Sequence, residues 1–486
     1  MSEQMQAAGA VLERIGGVGP WLASRPIVIP DVVLDPPRDG ELLVRMEAAG
    51  SCHSAPSVVE GNRDRPLPCL MDNEAAGGQR GRRLVDNRLE SEENAMSDTT
   101  APRALEGMTV LDLSQVMAGP YCTMILGDYG AEVIKIENPE AGDQTRRSWG
   151  RLYAGQDSHA FLAMNRNKRS VALDLKDAED LEKFYGLVRD ADVVVENFRP
   201  GVAQRLGIDY DTLKDINPGL IYASISGFGL SGPYSTRPGY DLIAQAMSGV
   251  MSITGEPGGR PVKCGLPVSD LGAALFTAVG IVTAWAHKQR TGEGQKVETS
   301  LFESALALSV WESVEYWTTG RTPQPMGSGH RINEPYRALR TADGYVTVGA
   351  NNQKLWRLLC RAMDDEALAD DPRFATNMDR MDHLPELVEE LERRLAARTS
   401  TEWVDIFLAA GVPAGPIQDY RQVLEEDEHV KARGMVTTVD HPLEGEVKLL
   451  ASPIRMSGTP FTVRRHPPLL GEHTDEVVAN LARTEA

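Results

Sequence analysis

From Leu105 onward the chain alternates short apolar runs with longer mixed ones. MTVLDLS (108–114) reads as a buried strand, AGPYCTMILGDYG (118–130) as a helix ended by glycine, and AEVIKIENP (131–139) as a second strand. SVALDLK, ADVVVENF and GLIYASISGFG repeat the strand pattern, each set off by a helical stretch. Strand–helix alternation predicts an α/β fold with a parallel sheet covered by helices. The pattern changes near Pro323. DGYVTVGA (343–350) opens a more helical stretch with NQKLWRLLCRAM and LPELVEELERRLAAR, whose charged faces read as solvated surface. A smaller second domain is predicted there. The expected organisation is an N-terminal fragment over 1–80, a linker over 81–104, a large domain over 105–310, a linker over 311–330, a small domain over 331–430, and a return segment over 431–486 that packs on the large domain.

Composition narrows the function classes. The 486 residues are 42% hydrophobic and 25% charged, ordinary for a globular protein. Fifty basic against 70 acidic residues leave a net charge of −20. Such a surface repels nucleic acid and anionic membranes, so neither is expected as a partner, and an anionic ligand needs a local basic pocket. Cys52, Cys69, Cys122, Cys264 and Cys360 are scattered and odd in number. They read as free thiols in a reducing compartment. The first residues lack the charged and apolar regions of a signal peptide, and no apolar stretch near 20 residues is free of polar breaks. A cytoplasmic protein is expected.

The segment GLPVSDLGAALFTAVGIVTAW (265–285) sets one acid, Asp270, at the head of a long apolar run. The plain reading is a helix cap. The alternative is a reactive carboxylate in a dry setting.

Further stretches decide between these readings. VLDLSQVMAGPYCTMILGDYGAEVIKIE, GDQTR (142–146), NRNKRSVALDLK (165–176), VVENFRPGVAQRLG (194–207), GYDLIAQAMSG (239–249), TGEGQKVETSLFESAL (291–306), GVPAGPI and PPLLGEHT follow one another over about 390 residues. The ordered set resembles the class III coenzyme A transferases, the family of formyl-CoA transferase, carnitine and bile-acid CoA-transferases and the α-methylacyl-CoA racemases. GSGHRINEPY and RPGYDLIAQAMSGVMSITGEPGGRPV look most like the branch of succinyl-CoA:glutarate CoA-transferase.

The resemblance implies a Rossmann-like large domain with a smaller α+β domain, in an interlocked homodimer. It implies transfer of coenzyme A from an acyl-CoA, with succinyl-CoA a candidate donor, to a carboxylic or dicarboxylic acid. CoA is then substrate and carrier, with no permanently bound cofactor and no metal. Asp270 takes the place of the family's nucleophile, which forms a mixed anhydride and then an aspartyl-CoA thioester. At a helix N-terminus it is expected to stay ionised, beside free backbone N–H groups for an oxyanion. Val116, Ala118, Asn197, Phe198, Arg205 and Arg237 match positions that hold CoA. Met117, Tyr240 and Asp241 match positions near the acyl group, and His330 or Arg331 could pair with the far carboxylate of a dicarboxylate. The racemase branch carries a His where Tyr240 stands. A phenol is a poor base near neutrality, so racemisation or acyl-CoA isomerisation is the second reading.

The first 95 residues resemble the opening of zinc-dependent alcohol dehydrogenases. Cys52 and His53 are kept, but Ala55 and Asn73 stand where that family has an Asp and a ligand His. An amide is a poor zinc ligand, and no dinucleotide-binding unit follows, so a decayed fragment is expected rather than a dehydrogenase. A CoA-binding protein without activity is a third reading.

Overall fold

The computed structural model describes residues 103–148, 150 and 157–484. Ahead of them it gives short strand segments between Met5–Ala8 and Glu74–Gly78, which pair antiparallel among themselves within a separate unit, Met1–Asn94. Cys52, His53, Ala55 and Asn73 lie outside the described residues, as does most of the 81–104 linker.

The second unit, Ala95–Ala486, is built on a six-stranded parallel sheet. Its strands are β1 (Thr109–Asp112), β2 (Glu132–Glu137), β3 (Lys168–Ala172), β4 (Val193–Glu196), β5 (Ile221–Ser226) and β6 (Lys296–Ser300). They lie side by side in the order β3-β2-β1-β4-β5-β6. That is the doubly wound order of dinucleotide-binding sheets, with a switch point between β1 and β4.

Successive side chains of a strand point to opposite faces, and the two faces are clothed by different helices. Val110, Val133, Val193, Val195, Ile221 and Ala223 pack with α1 (Ala118–Asp128) and with the long helix α4 (Val268–Thr291). Leu111, Ile134, Val171, Val194 and Tyr222 pack on the other side with Phe184, Leu187 and Val188 of α2 (Ala178–Asp190). Between β5 and α4 runs a short helix, α3 (Asp241–Met247). By length and composition alone α4 could cross a bilayer. Yet Ala273, Ala274, Ala278, Ile281 and Ala284 on it are buried against the sheet core, so its apolarity is that of a core helix.

Two more helices, α5 (Leu301–Leu308) and α6 (Val310–Thr319), lead away from β6. A second core then forms around an antiparallel sheet of β7 (Tyr336–Arg340), β8 (Tyr345–Gly349) and β9 (Ala414–Pro416). Trp356, Phe374, Leu387, Leu391, Trp403 and Phe407 fill it. The chain returns through the hairpin β10 (Val436–His441) and β11 (Gly445–Leu450) and ends in α7 (Thr474–Thr484). Val477 packs into the α2 side of the large core, and the His473 N–H donates to Ser170 O at 2.9 Å.

The NRNKR stretch explains how that return is fastened. Arg166 forks onto both carboxylate oxygens of Asp128, at 2.9 and 2.7 Å, and donates to Leu450 O at 2.8 Å. Asn167 donates to Asp128 and Thr462 O and accepts from the backbone of Arg464 and Arg465. Both members of the Arg166–Asp128 pair are buried. Removing one leaves the other in the interior without its counter-charge. Arg166→Ala is therefore expected to cost about 3–5 kcal/mol in urea unfolding, while the apolar pair Arg166→Met with Asp128→Leu costs less.

Candidate active site

In a doubly wound sheet the ligand crevice opens at the carboxyl ends of the strands flanking the switch point. Here those ends are the loops after β1 and β4, and they border a cavity of about 620 Å³. Gln115, Val116, Met117 and Ala118 come from the first loop, and Asn197, Phe198 and Arg199 from the second. Gln144 and Thr145 add a third wall, and Ser226 and Gly227 at the end of β5 a fourth.

Arg237, Tyr240 and Asp241 reach the cavity because two glycines let two backbones cross. A Cβ on Gly239 would lie 2.6 Å from Gly227 Cα, and one on Gly227 2.8 Å from Gly239 Cα. No other residue fits there, so ISGFG and RPGYD dock face to face. The crossing sets Tyr240 at the start of α3, with its ring half in solvent, and Arg237 with its guanidinium 3.9 Å from the Tyr234 ring centre.

Asp270 is the third residue of α4, not its cap. The cap position is Pro267, which has no N–H for an acid at the third position to bind, so a capping box cannot form. Among the described residues nothing hydrogen-bonds the Asp270 carboxylate, which faces the cavity. Asp241 instead secures the head of α4. Its Oδ1 accepts from Ser269 N–H at 3.0 Å, and its Oδ2 accepts from the Gln245 amide at 2.7 Å. Gln245 is fully buried and accepts from Cys264 N–H at 2.9 Å.

Two expectations about this helix end need correction. The Val268 and Ser269 N–H groups are already taken, by Leu266 O and by Asp241, so of the first turn only the N–H of Asp270 itself is left for an oxyanion among the described residues. Nor does the helix end keep Asp270 readily ionised: burial, with the nearby Asp241 charge, pushes its carboxyl up to about 7.

The cavity gathers opposite charge against the global field. Arg199, Arg237 and Lys263 line it, and among the described residues its lining acids are Asp241 and Asp270. A basic rim with a carboxylate inside suits a polyanion whose reactive end is an acyl group. Among the described residues no group of three or more His, Cys, Asp or Glu is arranged around a metal-sized site.

Nine of the residues expected at the site do meet around this cavity: Val116, Met117, Ala118, Asn197, Phe198, Arg237, Tyr240, Asp241 and Asp270. Asn197 also fastens the neighbouring loop: its amide accepts from the Gln115 N–H at 2.8 Å and donates to the Gln115 C=O at 2.7 Å, with a second N–H and a second lone pair left over. Arg205 sits exposed on a short helix and does not line the cavity. His330 and Arg331 do not line it either. The His330 ring meets Trp311 and Tyr336 edge-on, and Arg331 pairs with Glu312 at 3.4 Å and Glu315 at 3.8 Å. Gln115, Gln144, Thr145, Arg199, Ser226 and Lys263 were not singled out from the sequence. Arg199 and Thr145 fall inside motifs quoted for the resemblance, but Lys263 sits in a loop with no local signal.

Comparison with known proteins bears on what such a cavity does. The sequence model of CoA-transferase family III matches residues 105–474. The chain is 37% identical over 403 residues to succinyl-CoA:glutarate CoA-transferase of Mus musculus, covering 83% of this chain and 92% of that protein. It is 40% identical over 384 residues to succinyl-CoA:mesaconate CoA-transferase of Haloarcula hispanica, covering 77% and 96%. The crystal structure of a CAIB/BAIF family protein from Brucella suis superposes with a TM-score of 0.70 at 37% identity, over 78% of this chain and 99% of that one. The chain belongs to CoA-transferase family III, and its chemistry is the transfer of coenzyme A from an acyl-CoA to an acid.

Proposed function

We propose that Asp270 is the nucleophile of this transfer and that succinyl-CoA and a second dicarboxylic acid are its substrates. The observation that carries the reading is the Asp270 carboxylate itself, unpartnered at the wall of a cavity with a basic rim. Ionised Asp270 attacks the thioester carbonyl of the donor, and CoA leaves as thiolate. The product is a mixed anhydride between the donor acyl group and Asp270. The thiolate then attacks the Asp270 carbonyl, giving an aspartyl-CoA thioester and releasing the donor acid. The acceptor carboxylate attacks that thioester, CoA leaves again, and the thiolate takes the acceptor acyl group from the new anhydride. Asp270 is regenerated as a carboxylate. The apolar lining keeps water from intercepting the anhydrides.

Names of relatives support the substrate class. Those of Mus musculus and Haloarcula hispanica pair succinyl-CoA with glutarate and mesaconate. Arg199, Arg237 and Lys263 are the cations available to CoA phosphates and to a distal carboxylate. Incubating the protein with succinyl-CoA and glutarate, mesaconate or oxalate should yield the new thioester stoichiometrically with free succinate. Exchange of the acyl α-proton in heavy water without transfer would instead favour the racemase reading.

Only ionised Asp270 attacks, and its carboxyl titrates near 7. The rate should therefore rise with pH through about 7 and level off above it. Asp241→Asn removes the like charge that helps to raise that value, so the limb should move to lower pH.

We also place the working enzyme in an interlocked homodimer, in the cytoplasm, with 105–310 and 331–430 as its two domains. Val279, Val310, Trp311 and Trp317 on α4 and α6 are more than half exposed, and such a surface favours a partner copy. Cys122, Cys264 and Cys360 are free thiols, consistent with a reducing compartment. Light scattering giving twice the chain mass is the expected result for the dimer.

A further inference from the structure

We infer that Asp143, backed by Lys135, is a positioning residue for the acyl-CoA cavity: the pair holds Val116 in the left-handed backbone conformation that puts the Gln115–Ala118 segment on the cavity wall. This rests on the cavity being where the CoA ester binds, not on the covalent role of Asp270.

The starting point is Val116, with φ of +71°. A left-handed backbone crowds the Cβ of any L-residue against its own carbonyl, and a β-branched side chain suffers most. Asn167 and Asp364 share the left-handed region, but short polar side chains tolerate it. Val116 does not belong there unless its surroundings impose it.

They do so on each side of it. The Lys135 ammonium donates to Ser114 O at 2.7 Å. Asn197 binds both backbone groups of Gln115. Asp143 Oδ1 accepts from Val116 N–H at 3.2 Å. Beyond the strained residue, Met117 O accepts from Tyr121 N–H at 2.8 Å as α1 begins. The same Asp143 oxygen accepts from the N–H and hydroxyl of Thr145, at 2.8 and 2.7 Å. One carboxylate oxygen thus joins two loops, 115–118 and 144–145, and both loops line the cavity.

Asp143 needs a counter-charge to sit there. Lys135 lies 2.9 Å from its Oδ2, and Asp143 N–H donates to Glu137 at 2.9 Å. Lys135 and Asp112 are fully buried, and Asp143 is 1% exposed. Lys168 pairs with Asp112 at 3.0 Å and closes the cluster. Buried ion pairs seldom improve on apolar packing for stability, because each charge has been taken out of water. What this cluster supplies that an apolar one could not is a directed acceptor for Val116 N–H.

Glycine adopts the left-handed region without strain. If Asp143 serves to impose that conformation, a glycine at 116 should relieve the need for it. Asp143→Ala, which removes the acceptor oxygen, Val116→Gly and the double variant are compared by calorimetry with free CoA, by kcat and KM for succinyl-CoA, and by melting. Asp143→Ala should weaken CoA binding and raise KM by about tenfold with a smaller change in kcat. In the Val116→Gly background the same substitution should cost at least about threefold less. Equal penalties in both backgrounds would overturn the inference, as would a loss confined to melting temperature. Should Asp143→Ala not fold, Val116→Gly decides alone. At a strained position it leaves the melting temperature unchanged or higher; a drop of several degrees, as at a relaxed valine, overturns the inference. Arg237→Ala separates the two readings. If it weakens CoA binding while the Asp143 and Val116 effects simply add, the cavity stands and the positioning role falls. If it leaves CoA binding untouched, the cavity is not the CoA site.

Discussion

Asp270→Ala should leave a folded protein whose CoA transfer from succinyl-CoA is reduced by roughly 10⁴-fold or more. Among the described residues lining the cavity, the Asp270 carboxylate combines freedom from hydrogen bonds with a second acid beside it. Removing it removes the covalent route, because water and free acids attack a thioester slowly. The substitution deletes a half-buried acid at the third residue of a 24-residue helix, and that helix is held mainly by its small-residue face. Loss of activity with unchanged circular dichroism is the expected pair of results. Retention of a tenth of the wild-type rate would mean that another group carries the acyl chain.

The second large effect concerns stability, and it runs opposite to activity. An unfolded Asp loses its proton near 3.8, whereas Asp270 in the fold holds it up to about 7, because of burial first and the Asp241 charge second. Between these values the native state binds more protons than the unfolded one, so stability falls as pH rises from about 4 to about 7. Above 7 the fold carries the full cost of an ionised, unpartnered carboxylate. A shift of this size corresponds to about 4 kcal/mol in a dry interior, and partial access to water reduces it to about 2 kcal/mol. Asp270→Asn has no such titration. It should be inactive and yet more stable than the native chain by about 2 kcal/mol at pH 8, with the difference vanishing near pH 4. Urea unfolding at the two pH values checks this. An equal difference at both would mean that the carboxylate is not destabilised by its setting.

Much of the site was legible because its residues belong to strand ends. VLDLSQVMAGP and VVENFRP each run from an apolar strand straight into a loop, and the switch point sets those two loops side by side. Asp270 was legible as an acid at the head of a long apolar run, whereas Tyr240 and Asp241 were legible only through the resemblance of RPGYDLIAQ to the family. What stayed hidden depends on contacts between distant segments. Nothing in the letters QVMAG signals a left-handed valine, since the usual markers of that conformation are Gly and Asn. Lys135 and Lys168 read as ordinary strand charges until the fold brings Asp112 and Asp143 to them. That the Asn197 amide also ties down the Gln115 backbone shows only in the fold. Arg331 reads as a free cation until Glu312 and Glu315 lie beside it. The titration of Asp270 follows the same rule. A helix N-terminus favours an ionised acid, but α3 brings Asp241 to the same helix end, and its charge adds to the effect of burial.

Transfer through a covalent bond to Asp270 is most directly revealed by trapping that bond. The protein is incubated with succinyl-CoA, quenched with hydroxylamine and digested, and the peptide containing Asp270 is weighed. A hydroxamate on Asp270 is expected, formed only when the acyl-CoA is present and absent from Asp270→Asn. Steady transfer of CoA to a dicarboxylic acid with Asp270 unmodified under the same quench would contradict it.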